Sequence, residues 1–171
     1  MRVNRLTRGA LLTALALALS YMESFFPPLL PLPGVKLGLA NIVTVFALDA
    51  LGAADALSIL LARCLLGALF AGNASALLFS LLGGLSAFAV MFLLRALRRP
   101  SVFGVSIGGA AAHNCGQIAA AMLVLGSAAP LGYLPFLLLV SLFSGAFTGF
   151  AASLLLPALK KAGLERGEHH G

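Results

Sequence analysis

Apolar residues fill long runs along this chain, and short stretches carrying proline, glycine or charge interrupt them. Those runs and their punctuation predict six helices, at roughly 6–24, 36–51, 54–71, 75–98, 103–127 and 133–160. The later breaks are Gly52-Ala53, Gly72-Asn73, Arg99-Pro100 and Ala129-Pro130-Leu131-Gly132. The first break is longer and different in kind. From Phe25 to Asn41 the chain reads FFPPLLPLPGVKLGLAN, with prolines at 27, 28, 31 and 33 and no acidic residue. Proline lacks an N–H and clashes with the preceding turn, so no continuous helix runs through this stretch. Its leucines keep it apolar, which suits a loop folded back over a membrane cavity. It reads as a lid, with Lys36 and Asn41 near the mouth of what it covers.

Composition identifies the solvent. The chain is 61% hydrophobic and 9% charged, with a mean hydropathy of +1.06, whereas soluble domains are about 25% charged. At ~20 apolar residues per span, 171 residues hold six helices and leave no room for a soluble domain. The expected fold is therefore an all-α integral membrane bundle of six transmembrane helices, one domain over residues 1–171, with a charged tail at 161–171. The apolar run after Arg2, Arg5 and Arg8 ends in Tyr21-Met22-Glu23 without a small-residue cleavage site, so it reads as a retained first helix. Both cysteines, Cys64 and Cys115, fall inside apolar spans and read as packing residues.

Charge orients the bundle. With six spans, Arg2, Arg5, Arg8, Arg95, Arg98, Arg99, Lys160, Lys161 and Arg166 share one side, and Lys36 is the one basic residue of the other. That asymmetry puts both termini in the cytoplasm. It also accounts for the net charge of +6 without a nucleic-acid partner, since no basic face exists outside short loops.

Small residues recur every four positions on three helices: Ala10, Ala14 and Ala18; Gly108, Ala112, Gly116 and Ala120; Ser141, Gly145 and Gly149. Such ladders let backbones approach closely in lipid. On the fifth and sixth helices they read as packing inside the bundle. The alanine stripe of the first helix is a candidate docking surface for a second membrane protein.

Polar side chains inside spans are costly, about 2.5–3.5 kcal/mol for Arg, Lys or Asp at a helix centre, so they face an interior or a water-filled cavity. Glu23, Lys36, Asn41 and Asn73 fall in the outer half, Arg63 near mid-span, and His113, Asn114 and Gln117 in the middle of the fifth helix. His113 and Gln117 share a face, with Asn114 turned about 100° away. Gly109 and Gly116 leave room nearby, and Asn41 shares a face with Thr44. A cavity lined by Asn41, Thr44, Arg63, His113 and Gln117 beneath the lid is positive through Arg63 and Lys36, which suits a carboxylate, a phosphate or another electron-rich ligand. The alternative is a hydrogen-bond network that ties the helices together, with Arg63 paired to Glu23 or Asp49.

No set of residues has metal-ligand spacing, and His169 and His170 read as terminal tail. No cofactor is implied. There is no phosphate-binding Gly-Lys-Ser/Thr loop, no aspartate-rich magnesium cluster and no Ser–His–Asp or Cys–His arrangement. The chain thus reads as non-catalytic, and transport through it draws energy from a partner.

Three blocks carry a resemblance: Pro33-Gly34-Val35-Lys36-Leu37-Gly38-Leu39-Ala40-Asn41-Ile42, Ala62-Arg63, and His113-Asn114-Cys115-Gly116-Gln117. They resemble the small bacterial membrane family called Gx transporters, also labelled heptaprenyl diphosphate synthase component I. That family is similar in layout to the substrate-binding S components of energy-coupling-factor (ECF) transporters. The resemblance implies six helices, a first external loop that gates the pocket, and a bacterial cytoplasmic (inner) membrane location. It also implies that Ala10 and Ala14, extended by Ala18, contact a transmembrane T component carrying ATPase subunits. The expected function is a membrane substrate-binding subunit for uptake of a small anionic or polar-headed molecule. Lys36, Asn41, Arg63, His113, Asn114 and Gln117 are its expected ligand contacts. The alternative is a non-catalytic membrane subunit of prenyl diphosphate or quinone synthesis, or of flavin- or quinone-linked electron transfer.

Overall fold

The computed structural model describes residues 2–25, 38–97 and 101–161. They form six α-helices: α1 (Arg2–Glu23), α2 (Asn41–Ala50), α3 (Ala53–Ala71), α4 (Ala74–Ala96), α5 (Val102–Leu125) and α6 (Leu134–Lys161), with a 3-10 turn at Ala129–Tyr133 before α6. Helix ends fall where the punctuation lies. Gly72 takes a left-handed φ of 67° and closes α3 through its N–H to Ala68, and Asn73 then caps α4 by accepting the Ala76 N–H at 2.7 Å. Asn73, one of the polar residues singled out above, is thereby accounted for as a cap. Ser101 caps α5 in the same manner, on the Gly104 N–H at 3.2 Å.

By length and composition α3, α4 and the segment Ala129–Leu155 are apolar enough to cross a membrane. The second helix departs from expectation. It begins at Asn41 rather than 36, and Gly38, with φ 84°, stands outside it in the left-handed region. Ten residues rise about 15 Å, half the ~30 Å hydrocarbon layer. Nearly every side chain of α2 is buried, from Asn41 to Leu48 and again at Ala50, and it touches all five other helices. A helix apolar all round belongs at the centre of a bundle. Phe46, Val43, Val45, Leu48 and Leu51 form the main core there with Leu12, Ala16, Ile59 and Met91.

Around it, α4, α5 and α6 pack backbone to backbone. A Cβ on Gly116 would collide with the Leu82 carbonyl of α4, and one on Gly145 would lie 2.5 Å from the Ile107 Cα of α5. The ladders of α5 and α6 are therefore internal packing, as expected. Gly109 and Gly116 leave no room for a ligand, because Met91 and Leu82 take it. The α1 ladder faces the other way, with Ala10, Ala14 and Ala18 all exposed. Cys64 is buried, but Cys115 lies on the outer surface and is not a packing residue.

Two ion pairs gather helix ends at one pole of the bundle. Arg5 of α1 grips Asp55 of α3, with Nε 2.9 and 3.1 Å from the two carboxylate oxygens. Arg95 at the end of α4 pairs with Asp49 at the end of α2. Asp49 is thus not the partner of Arg63.

Candidate functional site

At the opposite pole, the end of α1 meets the start of α2. The Glu23 carboxylate, buried at the last turn of α1, accepts the Gly38 N–H at 2.6 Å and the Leu39 N–H at 3.2 Å. These amides precede a helix and have no intrahelical carbonyl to use, and a carboxylate is well placed at that positive helix end. This long-range cap fixes where α2 starts.

Beside it lies a small cavity of about 20 Å³, partly open at the surface and with room for about one water molecule, lined by Ser20, Glu23, Gly38, Ala40, Arg63, Ser80, His113 and Gln117. Arg63 comes from mid-α3, and the four-residue spacing on α5 brings in His113 and Gln117 together. Two glycines of α4 make the space these side chains occupy. A Cβ on Gly83 would stand 2.9 and 3.0 Å from His113 ring atoms and 3.1 Å from Gln117 Cγ, while one on Gly84 would stand 3.2 Å from Arg63 Nη2. Asn41 adjoins the cavity at Gly38, where an added Cβ would lie 2.9 Å from the Asn41 amide nitrogen and 3.3 Å from His113 Nε2.

Arg63 is 6% exposed and Asn41 2%. The Arg63 Nε and Nη2 and both Asn41 amide atoms have no hydrogen-bond partner among the described residues. Burying such groups unpaired is costly.

The structure thus brings together Arg63, His113 and Gln117, with Asn41 alongside. It does not bring Asn114 there. The turn of 100° along α5 carries Asn114 to α6, where its Nδ2 donates to the Leu137 carbonyl at 2.9 Å. Thr44 is buried in α2 and is not part of the lining. Lys36 and the lid prolines lie outside the described residues. Ser20, Ser80 and the Gly83-Gly84 step were not anticipated. The adjacent glycines inside an apolar helix were the available signal, since glycine there costs about 1 kcal/mol against alanine unless packing needs it. Nothing distinguished Ser20 or Ser80.

Among the described residues no group of three His, Cys, Asp or Glu side chains could hold a metal ion. The cavity and its margin present one guanidinium, one carboxylate, an imidazole, two amides and hydroxyls.

Comparison with known proteins agrees with this architecture. The chain is similar to the S component of a bacterial ECF transporter, with a TM-score of 0.58 and 19% identity over 95% of this chain and 96% of that one. At that identity the likeness is one of fold. No curated protein matches the sequence. The family described as heptaprenyl diphosphate synthase component I matches residues 12–155. By that match the chain, a multi-pass membrane bundle with an S-component fold, belongs to the heptaprenyl diphosphate synthase component I family.

Proposed function

We propose that this protein is the membrane-embedded binding subunit of an uptake system, of the S-component kind. It takes a small anionic or polar-headed molecule into the cavity below the α1–α2 turn, which opens to admit it. A transmembrane partner carrying ATPase subunits drives the inward step. The observation that carries this reading is the convergence of buried Arg63, His113 and Gln117 on one cavity, in the half of the bundle away from the N-terminus. The S-component fold supports it, as does the outward-facing stripe of Ala10, Ala14 and Ala18, on which a partner helix can lie closely. In this reading Lys36 completes the ligand contacts from the lid, Asn114 supports them through α6, and both termini face the cytoplasm of a bacterial inner membrane. The chain itself catalyses nothing.

The test is native mass spectrometry of the protein purified gently from its host membranes. A retained small molecule together with co-purified ATPase subunits is the expected result. A protein carrying only bilayer lipid and no partner would end the uptake reading. The family description favours a second reading, a non-catalytic membrane subunit for a prenyl diphosphate synthase. That reading requires the protein to change the yield or chain length of a co-expressed soluble synthase.

A further inference from the structure

Among the described residues, Arg63 is a buried cation with no ion-pair partner. Asp55 is held by Arg5 and Asp49 by Arg95, while the Glu23 carboxylate binds the backbone at the start of α2. The two other acidic residues, Glu165 and Glu168, lie in the tail outside the described residues. Arg63 shares the cavity with Glu23 but forms no ion pair with it or with any other described residue. A guanidinium buried in a low-dielectric bundle requires a partner, because leaving water unpaired carries a desolvation cost that neutral packing does not incur. Arginine cannot escape by losing its proton.

We propose that the ligand itself is that partner: a small molecule whose carboxylate or phosphate seats on Arg63. Its neighbouring donor–acceptor edge, of the kind an amide presents, is read by Asn41. This rests on the binding-subunit reading and narrows its ligand to an oxyanion. Nε and Nη2 are the two nitrogens whose N–H bonds run side by side along one edge of a guanidinium, the geometry that matches two oxygens of one oxyanion. Both lack acceptors among the described residues. Gly84 keeps the helix wall back from Nη2. Asn41 lies at the same junction with both its donor and its acceptor unused, so a ligand with an oxyanion and no further polar group leaves Asn41 unsatisfied.

The experiment is a thermal-unfolding titration of the full chain in detergent. Inorganic phosphate and sodium acetate are varied at constant ionic strength held with chloride. Both oxyanions are expected to raise the Tm of the native protein in a saturable way. Arg63→Met removes the response, and Arg63→Lys weakens it about tenfold, because an ammonium offers no side-by-side pair. Arg63→Met without added oxyanion is expected to melt higher than the native protein, since a buried unpaired charge has gone. A parallel titration with phosphatidylglycerol separates the sources: an Arg63-dependent rise with the lipid alone keeps the oxyanion and assigns it to a headgroup. A flat response to all three probes in the native protein overturns the proposal, and so does an unchanged response in Arg63→Met. If the Met variant does not fold, Arg63→Lys supplies the comparison. The uptake reading is judged separately by co-purified ATPase subunits, so either can fail while the other stands.

Discussion

One methyl group separates the two uses of glycine in α4 and α5. At Gly83 the neighbours are the tips of His113 and Gln117, which can shift. Gly83→Ala is therefore expected to fold, with a loss of about 1–3 kcal/mol from overpacking, and to weaken ligand retention because both cavity side chains are displaced. Thermal unfolding and native mass spectrometry read the two effects separately. At Gly116 the neighbour is the Leu82 backbone of α4, which cannot shift without parting two helices. Gly116→Ala is expected to cost at least the ~3 kcal/mol at the top of that range, measurable as a larger fall in Tm than for Gly83→Ala. An equal or smaller fall would contradict the packing described. Glu23→Ala strips the cap from Gly38 and Leu39, and hydrogen bonds to a charged group contribute about 1.5–3 kcal/mol each. Glu23→Gln, which keeps one acceptor, is expected to lie between it and the native protein. Which residues these would be was only partly legible in the sequence. The spacing of His113 and Gln117 announces a shared face. It does not announce that Asn114 meets a carbonyl of α6, because the rotation of α6 against α5 is set by Gly145 and Gly149 seating on Ile107 and Phe103.

At the scale of elements, hydrophobic runs and breaks were sufficient for the number of helices and most of their ends, since in lipid the backbone must satisfy itself within each helix. They failed at the start of α2. The helix begins only at Asn41, after the left-handed Gly38, whose N–H is held by a carboxylate 15 positions earlier in the chain. No local pattern carries that information. The exposed alanines of α1 are the converse case. Their four-residue recurrence was visible, but the same recurrence is half-buried to buried on α5 and buried on α6, and only the bundle shows which stripe faces out. Ala14→Phe is accordingly expected to leave Tm and ligand retention unchanged while abolishing uptake in cells that hold the partner module. A lowered Tm would mean that α1 uses this face inside the bundle.

For the whole molecule, polarity is divided between two poles. One collects Arg5–Asp55 and Arg95–Asp49, and the other holds the cavity. The Arg5 side chain is 64% exposed, and exposed pairs contribute about 0–1 kcal/mol, so Asp55→Asn should barely move the unfolding midpoint. Asp49→Asn, at a less exposed pair, should cost more. Unfolding curves in low and high salt check this, with the Asp55 effect fading first as screening grows. Charge asymmetry along the chain foretold this pole, though not the pairings within it.

The glycine contacts of α4, α5 and α6 also bear on time. Backbones that touch directly have little side-chain slack between them, and local opening there requires whole helices to part. α1 is attached differently, through Leu12, Thr13, Ala16, the Arg5–Asp55 pair and the Glu23 cap, with the face of Ala10, Ala14 and Ala18 bare. In deuterated buffer, amide exchange in lipid nanodiscs is expected to be slowest in the facing stretches 82–91 and 107–116 and markedly faster along α1. The bundle then behaves as a stiff three-helix slab with a looser helix riding on it, and that helix is the one carrying the outward stripe.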